Sequence, residues 1–240
     1  MSVRVAPPAV QAILLDVEGT TTPIAFVVEK LVPYARTHLR RHVEQHATAP
    51  AHVRLLAQLR EEHDKDRAAG QALPAWDNPV AYLEWLMDRD RKSPALKDLQ
   101  GRIWEEGYRL GELQGEVFAD VPGALARWRA HGLAIGIFSS GSVLAQQLLF
   151  RHSTAGDLTG HLRWHFDTTV GPKADADSYR RIAAVMTLPA QAVLFISDVV
   201  RELDAARAAG LQTRLALRPG NAAAPDGHGH DVAHTFDEVV

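Results

Sequence analysis

The sequence predicts an α/β protein with a doubly wound parallel sheet and a helical domain inserted after the first strand. Three observations lead to this prediction. Short, nearly continuous apolar runs are typical of parallel strands that are buried on both faces. Helical patterns separate the later runs, and a long stretch without strands separates the first run from the second. Repeated strand-helix-strand units with right-handed crossovers build a doubly wound sheet.

The predicted strands are four apolar runs, each followed by polar residues or glycine. In chain order they are Ala12 to Leu15, Leu133 to Phe138, Ala192 to Ile196, and Thr213 to Leu217. Apolar residues at helical spacing predict the helices around the last three strands. These helices are Val143 to Phe150, Ser178 to Met186, and Arg201 to Ala209.

The residues between the first two strands are predicted to form a separate helical domain. Residues 16–132 are far too many for an ordinary crossover connection. The stretch has charged helical patterns, including Leu55 to Arg67 and Ala81 to Arg91, and no convincing strand. We therefore predict an α/β core of residues 1–23 and 121–240, with a helical cap at residues 24–120 over the end of the sheet.

The composition excludes several classes of function. Hydrophobic residues make up 46% of the 240 residues, as in globular proteins. The formal net charge of -3 gives no reason to expect nucleic acid or a membrane surface as a partner. The chain has no cysteine, which excludes disulfides, thiolate nucleophiles and cysteine-based metal sites. Because no apolar run has the length of a membrane span, we predict a cytoplasmic protein.

Chemically active side chains follow the predicted strands. In an open parallel sheet, ligands bind at the carboxyl ends of the strands, so these side chains are expected to form one site. They occur in the segments D-V-E-G-T, S-S-G-S and S-D, and in the loop G-P-K-A-D-A-D. In chain order the candidate residues are Asp16, Glu18, Ser139, Ser140, Lys173 and Asp198.

Together these residue types can transfer a phosphoryl group through a covalent aspartyl phosphate. Asp16 would attack phosphorus, and Mg²⁺ held by Asp16 and Asp198 would offset the repulsion between carboxylate and phosphate. Lys173 and Ser139 would bind the remaining phosphate oxygens. Glu18 would protonate the leaving oxygen and then deprotonate the attacking water.

These segments resemble the four motifs of the haloacid dehalogenase-like phosphatases. Longer blocks are more discriminating, including M-D-R-D-R-K-S, F-S-S-G-S-V-L-A-Q-Q and H-F-D-T-T-V-G-P-K. The matching blocks extend from Leu14 to Ala222, so the resemblance covers nearly the whole chain. They are similar to the bifunctional enolase-phosphatases of the methionine salvage pathway. The fold implied by the resemblance is a haloacid dehalogenase-like, Rossmann-type core with a cap.

The resemblance also implies an activity. The enzyme would enolise 2,3-diketo-5-methylthiopentyl 1-phosphate and remove its phosphate, giving the acireductone 1,2-dihydroxy-3-keto-5-methylthiopentene, with one Mg²⁺ per subunit. The implied roles are nucleophile and metal ligand for Asp16, acid/base and metal ligand for Glu18, substrate binding for Ser139, Ser140 and Lys173, and metal ligand for Asp198. The segment S-D-V-V-R-E departs from the common motif, which makes Glu202 a candidate for the outer shell of the metal.

Two other functions are compatible with the residues. The chain could hydrolyse another small phosphorylated metabolite without enolising it, since the same residues would serve. It could also be a binding module without catalysis, although binding alone does not need both a nucleophile and an acid/base. The base of the enolisation step is open between Glu18 and a residue of the insertion. A cap supplied by the chain itself is compatible with a monomer.

Several polar residues after the strands also have an alternative role. Asp198 could cap the following helix, Ser140 and Ser142 could do the same, and Lys173 could be a solvated surface charge. Asp204 is predicted to pair with a neighbouring arginine.

Two charged or histidine-rich segments are also open to interpretation. A solvated loop is the favoured reading of His228, His230 and His234. The segment Asp88 to Lys92 is either an exposed helix end or a lid that places Arg89 or Lys92 over the site.

Overall fold

The computed structural model describes residues 9–91 and 93–239. The chain divides into two compact units. One is Val28–Leu113, and the other combines the residues up to Val27 with those from Gln114 onward. The division of the chain into a core and a cap at residues 24–120 stays a prediction. The boundaries between the two compact units lie a few residues inside the limits of that predicted cap. No helix in the described ranges is long and apolar enough to cross a membrane.

The larger unit contains a parallel sheet of six strands in the order β3-β2-β1-β4-β5-β6. The strands are β1 (Ala12–Leu15), β2 (Ala134–Phe138), β3 (Trp164–Phe166), β4 (Val193–Ser197), β5 (Gln212–Ala216) and β6 (Asp231–Ala233). Leu15 of β1 pairs with Ile137 of β2 and with Ile196 of β4. The residues that follow these three central strands therefore lie side by side at the carboxyl ends of the strands. The predicted α/β fold is confirmed.

Nine α-helices occur in the described residues. They are α1 (Ile24–Phe26), α2 (Val32–Gln45), α3 (Pro50–Ala68), α4 (Pro79–Asp88), α5 (Pro94–Leu110), α6 (Val121–Ala130), α7 (Val143–Arg151), α8 (Ala176–Met186) and α9 (Val200–Ala208). A π-helical turn, Val27–Leu31, links α1 to α2. In the larger unit, called the sheet unit below, α8 and α9 pack on the face of the sheet that carries Leu14 and Phe195. Helix α6 contacts β2.

Two strands were not predicted from the sequence. Strands β3 and β6 lie at the two edges of the sheet and have three residues each. Edge strands bury less of their surface than central strands, so their sequences need not be continuously apolar. His165 lies in the middle of β3, and the exposed Asp231 begins β6. Neither segment therefore carries the apolar run that identified the central strands.

The smaller unit, called the helical unit below, is a bundle of α2 to α5, without any strand in its described residues. Its core is aliphatic and aromatic and includes Leu39, Leu59, Leu83 and Leu99. Ser93 is the N-cap of α5, and its side chain accepts a hydrogen bond from the Leu96 N–H and so satisfies one of the free amides of the first turn. The helical patterns predicted in the insertion correspond to α3 and α4.

Candidate functional site

Asp16 directly follows β1 and is buried among the carboxyl ends of the central strands. Its backbone N–H donates to the Ile196 carbonyl at 3.0 Å, which continues the pairing of β1 with β4 by one residue. Its Oδ1 accepts a hydrogen bond of 2.7 Å from the Val17 N–H. The chain then turns sharply through Gly19, whose φ of 69° lies in the left-handed region. The side chain of Asp16 is thus held at the end of the strand.

Lys173 lies in the loop before α8 and forms two short ion pairs. Its Nζ is 2.6 Å from Asp16 Oδ1 and 2.6 Å from Glu202 Oε2. Only 9% of the residue is exposed, so the alternative of a solvated surface charge is wrong. Burial alone would lower the pKa of Lys173, but the two carboxylates raise it above its ordinary value. The amine therefore stays protonated beside Asp16.

Ser197, the last residue of β4, joins the same two carboxylates. Its Oγ is 3.0 Å from Asp16 Oδ2 and 3.1 Å from Glu202 Oε2, so its single proton can be donated to either of them. Burial and the negative charge of Asp16 raise the pKa of Glu202. The sequence identified Glu202 only as a candidate for the outer shell of a metal. In the structure it is the second carboxylate partner of Lys173.

Asp198 follows β4 and lies against the turn after β1. Its N–H donates to Thr20 Oγ1 at 3.0 Å. A Cβ added to Gly19 would lie 2.2 Å from Asp198 Oδ2, so the carboxylate occupies the space that a side chain at position 19 would need. Helix α9 has Val199 as its N-cap and no side-chain cap, so Asp198 is not the cap of this helix. Burial, reinforced by the charge of Asp16, raises the pKa of Asp198 to about 6.

The two aspartates fit a divalent cation. Asp16 and Asp198 follow neighbouring strands, both carry oxygen donors, and the pKa of Asp198 is raised by burial and, to a lesser extent, by the charge of Asp16. The described residues contain no group of three or more His, Asp or Glu side chains arranged to hold a metal. A cation here would therefore need backbone carbonyls or water as further ligands. Mg²⁺ accepts such a mixed shell of oxygen ligands.

The serine segment after β2 lies at the same carboxyl ends of the strands. Ser139 is buried, and its Oγ accepts a hydrogen bond of 3.1 Å from the Gly141 N–H. Ser140 is exposed. Ser142 caps α7 by accepting from the Ala145 N–H at 3.2 Å, as one of the alternative roles predicted.

Gln146 of α7 supports this segment and was not identified from the sequence. Its Nε2 donates to the carbonyls of Gly141, at 3.1 Å, and Phe166, at 2.8 Å. No sequence pattern marks it, since its acceptors are backbone carbonyls and the adjacent Gln147 has the same side chain.

Glu18 has an exposed side chain in the turn that follows Asp16. Its backbone pairs with that of Thr22, which closes the turn. The structure thus brings Asp16, Lys173 and Asp198 together, with Glu18 two residues beyond Asp16.

The C-terminal histidines are not simply a solvated loop. His230 is 6% exposed; its Nδ1 is 2.8 Å from Thr213 Oγ1 and its Nε2 is 3.2 Å from Asp204 Oδ1. The prediction of a solvated loop is therefore wrong for His230. Asp204 also accepts from Arg207 at 2.6 Å, so its predicted pairing with a neighbouring arginine is confirmed.

The residues considered for a lid lie at the end of α4. The Arg89 guanidinium lies 4.5 Å from the centre of the Trp85 ring in the same unit. Lys92 lies outside the described residues. A lid function of this segment stays a prediction.

Comparisons with known proteins agree with these features. The model of the haloacid dehalogenase-like hydrolase family matches residues 10–210. A protein of Synechococcus elongatus named Enolase-phosphatase E1 is 50% identical over 97% of this chain and 99% of its own length. A protein of the same name from Sorangium cellulosum is 47% identical over 96% and 97%. The crystal structure of the Saccharomyces cerevisiae UTR4 protein is 34% identical, with a TM-score of 0.78 over 96% of this chain and 100% of that one.

Proposed function

Because the chain belongs to the haloacid dehalogenase-like hydrolase family, and within it to the Enolase-phosphatase E1 proteins, we propose that it is a bifunctional enolase-phosphatase. The substrate would be 2,3-diketo-5-methylthiopentyl 1-phosphate, an intermediate of methionine salvage, and the product an acireductone. The identity to relatives of this name over nearly the whole chain supports this substrate. We further propose that the enzyme acts as a cytoplasmic monomer.

The observation that carries the phosphatase half is the position of Asp16, which pairs with Lys173 and is close enough to Asp198 for its charge to raise the pKa of that carboxylate. Asp16 would attack phosphorus, forming a P–O bond to its carboxylate while the bond from phosphorus to the substrate oxygen breaks. Glu18 would give its proton to that leaving oxygen. Glu18 would then take a proton from water as the water attacks the acyl phosphate, which releases inorganic phosphate and restores Asp16. The exposed side chain of Glu18 supports this exchange with substrate and water.

Lys173 would bind the phosphate next to the nucleophile. Its charge is fixed by the two carboxylates that it contacts, so the amine is oriented before substrate arrives. Preorganised positive charge beside developing negative charge stabilises a transition state because no reorganisation is needed during the reaction. Ser139 and the exposed Ser140 follow the neighbouring strand β2, and we propose that they bind further phosphate or substrate oxygens.

A single Mg²⁺ would be held by the carboxylates of Asp16 and Asp198, with the backbone carbonyl of Glu18 as a further ligand. When bound, it supplies a positive charge that reduces the repulsion between carboxylate and phosphate and polarises substrate oxygens.

In the enolase half, a base removes a proton from the carbon next to a carbonyl and the carbonyl oxygen becomes the enol hydroxyl. We propose that Glu18 or a residue of the helical unit is that base.

The alternative is a phosphatase of the same family that acts on a different small metabolite without an enolase step. One experiment separates the two. The purified chain is incubated with the diketone phosphate in Mg²⁺ or in EDTA, while enol absorbance and free phosphate are followed in one sample. We expect the enol first and phosphate afterwards, with both lost in EDTA. Phosphate release from simple esters without enolisation of the diketone would instead support the alternative.

A further inference from the structure

The turn after Asp16 is held by two residues from the far end of the chain. Asn221 Nδ2 donates to the Gly19 carbonyl at 2.8 Å, and Arg218 Nε donates to the Thr20 carbonyl at 3.0 Å. Both belong to the segment R-P-G-N that follows β5. Two consecutive carbonyls of the turn are therefore fixed by side chains that are remote in sequence.

Arg218 is itself held rigidly. It is 6% exposed, and its Nη1 donates to Asp120 Oδ2 at 2.7 Å and to the His234 carbonyl at 3.0 Å. Its guanidinium carbon lies 4.8 Å from the centre of the Phe118 ring and 4.2 Å from that of Phe236. A guanidinium with this many partners has one orientation, since its planar fork must satisfy all of them together.

Thr20 connects this arginine to the second aspartate of the site. Its carbonyl accepts from Arg218, and its Oγ1 accepts from the N–H of Asp198. A shift of the turn would therefore move Asp198 relative to Asp16. Catalytic groups must be held within fractions of an ångström of their productive geometry, so support of this kind affects turnover directly.

We propose that Arg218 and Asn221 are positioning residues that hold Asp16, Glu18 and Asp198 in their reactive arrangement. They act through the backbone of Gly19 and Thr20 and do not touch the substrate. The proposal rests on the proposed function, because it assigns these two residues to the phosphatase site.

The test compares Asn221→Ala and Arg218→Lys with the parent chain. The first removes the donor to Gly19, and the second keeps a positive charge near Asp120 while it removes the planar donor to Thr20. Arg127→Lys is the matched control, because Arg127 also bridges a carboxylate, that of Asp237, and a backbone carbonyl, but does not touch the turn.

The readout is kcat and KM for p-nitrophenyl phosphate and for the diketone phosphate, together with the melting temperature. We expect kcat to fall about tenfold or more for both turn variants, with KM changed less than kcat and with Arg127→Lys near the parent. Variants that melt lower but keep kcat within about twofold of the parent per folded molecule would show a merely structural role and overturn the proposal.

Chemical rescue gives a second, independent readout. Arg218 is one of the residues that line a cavity of about 810 Å³ beside the R-P-G-N segment, and its replacement by alanine would open further space where the guanidinium now lies. We expect millimolar guanidinium to restore part of the lost kcat of Arg218→Ala and to have no effect on Asn221→Ala. Equal effects on both variants would contradict a role for the guanidinium group.

The two proposals fail in different ways. If the parent chain hydrolyses p-nitrophenyl phosphate but not the diketone phosphate, the proposed substrate is wrong, and the comparison of variants still decides the positioning role. If it hydrolyses neither, stabilisation by Mg²⁺ with beryllofluoride, which mimics an acyl phosphate, replaces turnover as the readout. The quantity compared is then the beryllofluoride concentration that gives half of the full stabilisation. A value about tenfold higher in Asn221→Ala than in the parent would support the positioning role, and an unchanged value would overturn it.

Discussion

Lys173 Nζ lies 2.6 Å from Asp16 Oδ1, although all of Val28–Leu113 lies between the two residues in sequence. The same amine also contacts Glu202. One buried ammonium group thus pairs with two carboxylates. Asp198 is a third carboxyl group nearby, and its pKa is raised. This imbalance favours the binding of a divalent cation and makes the site sensitive to the loss of its single amine.

Replacing Lys173 by methionine removes that amine and keeps most of the side-chain volume. We expect Lys173→Met to lower phosphate release at least about 100-fold and to destabilise the fold by about 3 kcal/mol, because it leaves paired buried carboxylates uncompensated. Phosphate assays and urea unfolding measure the two effects. Arg180→Met is the control, since Arg180 pairs with Asp177 on the surface, where such pairs contribute little. Equal stability losses in both variants would mean that burial of the Lys173 pair is energetically unimportant.

Asp16→Asn tests the nucleophile while it preserves the shape of the side chain. The amide oxygen can take the place of Oδ1 and still accept from the Val17 N–H, while the amide nitrogen can donate to Ser197 Oγ, so we expect a folded protein. Phosphate release should fall at least about 1000-fold because an amide is a poor nucleophile. Asp204→Asn, a change to a surface aspartate in the same unit, is expected to retain parent activity. Turnover of Asp16→Asn near the parent rate would contradict the covalent mechanism.

Glu18→Gln tests the proton transfer. We expect kcat to fall by about 10²- to 10⁴-fold with a smaller change in KM, because a positioned acid/base contributes roughly that factor. Acid quenching with ³²P-labelled substrate should trap more phosphate on the protein than in the parent, since the water step would slow. A raised KM with unchanged kcat would assign Glu18 to binding instead of proton transfer.

The sequence predicted the central sheet well because its strands are buried on both faces and therefore apolar throughout. It also located Asp16, Ser139 and Asp198, which immediately follow those strands. It could not show that Lys173 is bridged to Glu202, because pairing across loops depends on tertiary packing. Gln146 and Arg218 were missed for the same reason: each is a single polar residue whose partners are backbone carbonyls, and no sequence pattern marks such contacts.

Gly19→Ala tests the close approach of Asp198 to the turn. An added Cβ would lie 2.2 Å from Asp198 Oδ2, and the φ of 69° would also strain any residue with a side chain. We expect a loss of about 1 kcal/mol in stability from the backbone and a further loss of activity of at least about tenfold from the displaced carboxylate. The control is Gly132→Ala, because Gly132 has a φ of 78° and no neighbour within 4 Å of an added Cβ. Equal activity in the two variants would show that Asp198 tolerates the displacement.

The helical unit contains a cluster of three histidines, of which His42 and His52 are buried, that bears on stability. The His42 and His46 rings are stacked at 4.2 Å, and the His52 ring lies 5.9 Å from that of His42. The charged neighbours are Glu106, whose Oε2 is 3.7 Å from His42 Nδ1, and Arg102, whose charge disfavours protonation of His52. Burial, together with the neighbouring histidines, lowers the pKa of His42 to about 4, and burial chiefly lowers that of His52.

These lowered pKa values predict that acid destabilises the protein. A histidine that binds its proton more weakly when folded favours unfolding as pH falls below its unfolded pKa of about 6.5, and for His42 the loss reaches about 3 kcal/mol near pH 4. Both His52 ring nitrogens are buried without a hydrogen-bond partner, so His52→Leu should cost little at pH 7.5. Urea unfolding between pH 7.5 and 4.5 should show a shallower decline for His52→Leu than for the parent, with His131→Leu, which lies outside the helical unit, unchanged. Parallel declines in parent and His52→Leu would mean that folding does not lower the pKa of His52.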